Sequence, residues 1–163
     1  MASFGRPASV RLRTLTGDDA AAVAAWRYEG PWSVYDGRQD EQISAEKGYT
    51  AIVDEEDRFL GYVCIGEEAR VAGLTEEPGV LDVGVGLDPL VVGRGHGASI
   101  LVPLLEVVAA SSPATTLRAL VQSWNERSLR LCSRLGFREA GRHVAHGADG
   151  DVEYVVVVRS VER

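Results

Sequence analysis

Val80–Val108 reads VLDVGVGLDPLVVGRGHGASILVPLLEVV, and its three parts decide the fold. Val80–Leu87 is rich in Val and Leu and is closed by Asp88-Pro89. A residue with no N–H to give to a ladder ends a strand there. Val92-Gly93-Arg94-Gly95-His96-Gly97 then places glycine at alternate positions. Ile100, Leu101, Leu104, Leu105 and Val108 follow at helical spacing. The stretch therefore predicts strand, glycine loop and helix. Glycines just before a helix remove Cβ atoms from the place where its first unpaired N–H groups point outward. Those donors and the positive end of the helix dipole suit an anion, above all a phosphate.

A glycine loop has other readings. It can be no more than a flexible turn between strand and helix. Gly93, Gly95 and Ala98 also match the dinucleotide fingerprint. That motif needs the loop tight against its strand and an acidic residue about 20 positions further on. Here five residues separate Leu87 from Gly93, and the later stretch is Ala114-Thr115-Thr116-Leu117, without an acid. A P-loop is excluded because no Gly-Lys-Ser/Thr follows.

A second stretch narrows the choice. Thr116–Gln122 reads as a strand and is followed by Trp124-Asn125-Glu126-Arg127-Ser128-Leu129-Arg130-Leu131-Cys132-Ser133-Arg134-Leu135-Gly136-Phe137. Asn125 is a candidate N-cap, and Leu129, Cys132 and Leu135 form an apolar stripe. Gly136 suits the C′ position that ends a helix, with Phe137 folding back.

Together the two stretches resemble the GNAT acyltransferases over roughly Val80–Phe137. That family has Gln or Arg, two residues, Gly, one residue, then Gly or Ala between a central strand and a helix. Gly95, His96 and Gly97 fit the last three positions, whereas Val92 stands where Gln or Arg is frequent. The family also has Asn, two residues, Ala or Ser, then a helix carrying Tyr and ending in Gly-Phe. Asn125, Ser128, Gly136 and Phe137 stand in register, and Cys132 stands where Tyr is usual.

The resemblance implies one domain over 9–163 behind a loose tail, Met1–Ala8. Its fold would be α/β (α+β), with a central, mixed and mostly antiparallel sheet of about six or seven strands flanked by about four helices. The central strand pair would splay, and the pantetheine arm of acetyl-CoA would pair with the exposed edge, where Gly84 and Gly86 leave room. The resemblance further implies N-acetyl transfer from acetyl-CoA to a primary amine, by direct attack in a ternary complex. No Ser-His-Asp or Cys-His cluster that would form a covalent intermediate is visible. Val92, Gly93, Arg94, Gly95, His96, Gly97 and Ala98, with Asn125 and Ser128, are the expected cofactor-binding residues. Arg94 would contact phosphate, His96 would fill the motif's free position, and Arg130 or Arg134 would reach the 3′-phosphate or only solvate their helix.

The chemistry needs a neutral amine, a donor for the developing oxyanion and a departing thiolate. Asp82, in the central strand, is the first candidate base, with Glu67 and Glu68 weaker ones. Backbone N–H groups near Val83 and Val85 are the expected oxyanion donors. Cys132 is the candidate acid, with Ser123 and Ser128 in reserve. A thiol is a weak donor, and Cys in an apolar stripe also reads as core. The rival function is therefore a non-catalytic acyl-CoA-binding sensor or regulatory module.

The rest of the chain reads around this centre. Ser9–Leu15 is a first strand, Thr16 an N-cap with Asp18 and Asp19 in the first turn, and Ala20–Arg27 a helix. Trp26–Asp36 holds four aromatic rings broken by Gly30 and Pro31. It either covers the core or forms an acceptor wall, with Tyr28, Trp32, Tyr35 and Asp82 binding the substrate and Glu29 or Asp36 holding a cation. Asp40–Lys47 reads as a short helix. Tyr49–Val53 and Phe59–Ile65 form a hairpin. Glu67–Gly79 reads as a surface loop. Arg138–Ala145 and Val152–Val161 complete the sheet around a turn at His146–Asp151, with Tyr154–Val158 a fully buried strand.

The 163 residues carry a net charge of −7, which disfavours nucleic acid and anionic membranes and is compatible with a cationic acceptor. Two cysteines and three histidines show no metal-ligand pattern. No apolar run approaches the length of a signal sequence or a span, so a cytoplasmic location is expected. GNAT proteins are often homodimers, and these residues display no interface.

Overall fold

The computed structural model describes residues 5–38 and 42–162. The expected tail falls partly outside them, at Met1–Phe4, as do Asp40 and Glu41 of the expected short helix. The architecture is α/β. The strands are β1 (Val10–Thr14), β2 (Tyr49–Asp54), β3 (Phe59–Ile65), β4 (Val80–Leu87), β5 (Thr116–Gln122), β6 (Arg138–Gly147) and β7 (Gly150–Ser160). The α-helices are α1 (Gly17–Ala24), α2 (Gly97–Ala110) and α3 (Glu126–Arg134), and three short 3₁₀ segments accompany them among the described residues. The chain divides into two compact units, Met1–Cys64 with Val85–Ile100, and Ile65–Gly84 with Leu101–Arg163.

In the first unit the strand order is β1, β2, β3 and the second half of β4. β1 and β2 are antiparallel from Val10↔Asp54 to Thr14↔Thr50, and β2 and β3 from Tyr49↔Cys64 to Val53↔Phe59. Ala51, Ile52, Val53 and Leu60 are sealed from solvent and form the core. α1 starts one turn before the expected Ala20, because Thr16 and Asp19 form a capping box. Asp54 caps the β2–β3 turn, taking the N–H of Glu56 and of Arg58, each at 2.9 Å. Gly61 and Gly86 allow β3 and β4 to touch. A Cβ on Gly61 would overlap the Gly86 carbonyl, and one on Gly86 would overlap the Tyr62 ring. The room expected at Gly86 for a cofactor arm is therefore filled by Tyr62.

In the second unit the order is the first half of β4, then β5, β7 and β6. β4 and β5 are parallel, whereas β5 with β7 and β7 with β6 are antiparallel. The β4–β5 register runs only Val80↔Thr116, Leu81↔Leu117 and Asp82↔Arg118, although β5 stays paired with β7 as far as Gln122↔Tyr154. Strand β4 thus leaves the ladder after Asp82, as the splayed pair requires. Leu101, Leu104 and Leu105 of α2, Leu117 and Val121 of β5, and Val155 and Val157 of β7 are buried. β7 alternates, with Tyr154, Val156 and Val158 only half-buried, so one of its faces is covered rather than both. The β6–β7 turn is tighter than expected. Gly147 pairs with Gly150, and only Ala148 and Asp149 lie between.

Candidate functional site

In the first unit, β4 delivers the chain into a tight turn. Asp88 N–H donates to the Leu60 carbonyl at 2.8 Å, fixing the strand end to β3. Asp88 then folds the next residues back. Its carbonyl accepts from Val91 and Val92, and its Oδ1 accepts from Leu90 N–H at 2.8 Å. Gly93 and Gly95 follow with φ of 74° and 78°, the left-handed region that a side chain resists. Helix α2 begins at Gly97, and Ile100 N–H donates to the His96 carbonyl at 3.0 Å. The N–H groups of Gly97, Ala98 and Ser99 precede that bond and lack an i−4 partner. Gly93, Arg94 and Gly95 are exposed, and nothing lies within 4 Å of a Cβ built on Gly95. Arg94 is held beside the turn by its Nε, which donates to the Leu90 carbonyl at 2.7 Å. Val92, His96 and Ala98 are half-buried. Open space, backbone donors, a helix dipole and a tethered guanidinium suit a phosphate-bearing group.

The aromatic segment lies in the same unit, and its roles are divided. Trp26 is core: it is buried and stacks on Tyr62 and Phe59, each with a centroid distance of 6.0 Å. Tyr28 sits edge-on to Trp26 and donates its hydroxyl to the Leu87 carbonyl at 2.6 Å, so it reaches the end of β4. Asp36 accepts the Tyr28 N–H at 2.7 Å, which commits that carboxylate to the backbone. Trp32 and Tyr35 lie on a 3₁₀ segment, half-buried and exposed respectively. Val85 is 39% exposed on β4.

In the second unit, Asp82 is 2% exposed and enclosed by two arginines. Arg118 grips it as a fork, Nε to Oδ1 at 2.6 Å and Nη2 to Oδ2 at 3.0 Å. Arg70 Nη1 adds a bond to Oδ2 at 3.1 Å. Arg118, 5% exposed, also reaches Glu77 at 2.9 Å and the Thr75 carbonyl at 2.8 Å. Its hydrogen bond to Asp82 raises its pKa above the usual arginine value, against the opposing effect of burial. Arginine donors take three of the roughly four lone-pair sites of this carboxylate and hold it in place. Sequence reasoning passed over Arg118 and Arg70. The signal was available: Arg118 is a lone charge inside an apolar strand, and such a charge requires a buried partner.

Val83 is buried beside this network. Asn125 is the N-cap of α3, with Oδ1 accepting from Ser128 N–H at 3.2 Å and Nδ2 donating to Ser128 Oγ at 3.0 Å. This pair therefore builds the helix start. The helix ends in a Schellman motif, Phe137 N–H to Cys132 O and Gly136 N–H to Ser133 O, with Gly136 at φ 89°. Burial pushes the Cys132 thiol up to about 11. Arg130 and Arg134 are exposed on α3, and Glu67 and Glu68 are exposed on the 3₁₀ segment Gly66–Ala69.

A central strand that parts from its neighbour and runs through a glycine turn into a helix N-terminus defines the class of this α/β protein. The model for the acetyltransferase (GNAT) domain matches residues 9–138. The chain belongs to this family of acyltransferases. No curated protein sequence matches it. Three solved structures share the fold. A GNAT-family acetyltransferase from Bacillus anthracis has 13% identity and a TM-score of 0.69, covering 94% of this chain and 96% of its own. A spermidine N-acetyltransferase chimera from Vibrio cholerae and hSSAT has 14% identity and a TM-score of 0.69, with coverage of 93% and 95%. An aminoglycoside acetyltransferase in complex with coenzyme A has 22% identity and a TM-score of 0.67, with coverage of 93% and 95%. Among the described residues no helix is long and apolar enough to cross a membrane.

Proposed function

We propose that this chain is an N-acetyltransferase that moves an acetyl group from acetyl-CoA to the primary amine of a small molecule. The observation that carries the reading is the turn at Gly93–Gly97, where two left-handed glycines lead into the N-terminus of α2, an arrangement that suits an anion. The pyrophosphate of acetyl-CoA fits there, with Arg94 alongside. Bound, acetyl-CoA supplies an activated thioester. The N–H groups of Val83 and Val85 are our proposed donors to the carbonyl oxygen as charge develops. Tyr28, Trp32 and Tyr35 are proposed to line the acceptor. Structural neighbours whose names specify spermidine or an aminoglycoside support a small, amine-rich acceptor, and a net charge of −7 favours a cation.

Proton movements are assigned sparingly. Asp82 takes no proton in this scheme, because its oxygens are held by Arg118 and Arg70. Cys132 is a poor acid. With its thiol near 11 and a free thiol near about 8.5, proton transfer to the departing thiolate is uphill by about 3 kcal/mol. The thiolate therefore leaves without a proton from Cys132. The same weakness favours a second reading, a non-catalytic acyl-CoA sensor.

Calorimetric titration with acetyl-CoA, followed by thiol release against spermidine, aminoglycosides and peptide N-termini, tests the proposal. Binding with amine-dependent release supports the transferase, and binding without release under every amine supports the sensor. Absence of binding overturns both.

A further inference from the structure

The Asp82–Arg118 pair occupies the last rung of the β4–β5 register, where the two strands part. Its position is unexplained by stability alone. A buried ion pair pays heavily in lost hydration, and a well-packed apolar pair of similar volume is frequently as stable or more so. Buried ionic groups have their best-attested use in fixing a register or geometry. Here the geometry is specific. The Arg118 fork spans from β5 to both oxygens of Asp82 on β4. The same guanidinium holds Glu77 and the Thr75 carbonyl, and Arg70 holds Asp82 from the other end of that segment. His143 of β6 ties the segment again, its ring Nε2 lying 2.8 Å from the Ala72 carbonyl. Residues 70–77 are thereby strapped across one face of the second unit, on the row that contains Asp82 and Arg118.

We infer that Asp82 and Arg118, with Arg70 and Glu77, form a positioning clamp that fixes where β4 leaves β5 and so places the Val83 N–H for the acyl group. The inference rests on the acyl-CoA reading above and assigns Asp82 a geometric role rather than a proton-transfer role. An arginine is required, since a lysine has three donors on one nitrogen and cannot reproduce the planar fork that makes four bonds here, two of them to Asp82. Displacing a reacting group by about 1 Å costs on the order of 100-fold in rate.

The test measures acetyl-CoA affinity, steady-state transfer, pH–rate profile and melting temperature for the wild type, Asp82→Asn, Arg118→Lys and Glu77→Gln, with Asp54→Asn as control. Asp54 is a buried, arginine-paired aspartate in the first unit with no part in the site. We expect kcat/KM to fall roughly 10- to 100-fold in Arg118→Lys and Asp82→Asn, with the midpoints of the pH–rate profile unchanged. Glu77 is exposed, so Glu77→Gln folds normally and lowers kcat/KM about two- to fivefold. Asp54→Asn melts earlier with wild-type kinetics. Loss of the acidic limb of the profile in Asp82→Asn would make Asp82 the base and overturn the inference. Wild-type kcat/KM in Glu77→Gln and in folded Arg118→Lys would reduce the clamp to a structural pair. A wild type that binds no acetyl-CoA removes the acyl-CoA reading itself, a result distinct from either.

Discussion

Replacing Gly95 by Asp and by Asn separates charge from backbone strain at the glycine turn. Gly95 has φ 78° and open space around its missing Cβ, so a new side chain meets no neighbour and the only folding cost is conformational. That cost is about 1–2 kcal/mol, and Asn and Asp tolerate the left-handed region better than other residues. For a chain of this size it lowers the melting temperature by about 2–8 °C. Asp recovers about 0.3–1 kcal/mol of this from the α2 dipole, so the unliganded Asp variant should melt slightly above the Asn variant. Binding should invert that order. A carboxylate about 5 Å from one phosphate charge is repelled by about 1–3 kcal/mol for an effective dielectric constant between about 80 and 20. Calorimetry should show acetyl-CoA binding the Asp variant roughly 5- to 150-fold more weakly than the Asn variant, and the gap should shrink with added salt. Equal affinities for the two variants would refute the placement of a phosphate at this turn.

Cys132→Ala should leave kcat within about threefold of wild type, as expected for a thiol too weak to protonate the leaving group; a drop beyond about tenfold in stopped-flow or thiol-release assays would restore it as the acid. Stability should fall in acid, partly through Asp54. Burial pushes its carboxyl up, but hydrogen bonds from the Arg58 backbone and side chain and from the Glu56 backbone overcome this and leave it below the usual value. A depressed carboxyl stabilises the fold above its unfolded value near about 3.9, and that contribution disappears as pH falls through the lower folded value. Urea melts of Asp54→Asn should therefore lose less stability between about pH 5 and pH 2 than wild type. Gly61→Ala should destabilise more than Gly86→Ala, because the first meets the Gly86 carbonyl and the second meets only the Tyr62 ring. We expect about 1–3 kcal/mol for Gly86→Ala by thermal melting, and partial rescue by Tyr62→Leu.

Much of this architecture was legible because its signals are local. The β4 boundaries, the β5 boundaries, the Asn125 cap and the Gly136 stop follow from strand composition and from capping chemistry within a few residues. The β6–β7 turn is narrower than its polar composition suggests, since two facing strands keep pairing through polar residues once they are antiparallel and in register. Helix α2 runs on through Pro103, which removes one N–H yet leaves an apolar face that tertiary burial supports. The roles of individual polar residues were harder to read. Asp82 looked like a free carboxylate because its partners lie 36 and 12 positions away. Gly86 looked like room for a ligand because Tyr62 reaches it from another strand.

By itself, the sequence determined the class of protein: a strand, a glycine turn and a helix N-terminus, followed by a capped helix, are encoded in contiguous residues whose φ preferences and hydrogen-bond donors act locally. Only the tertiary structure decided which polar groups are available for chemistry. Availability depends on burial and on partners from other strands, and a linear pattern carries neither.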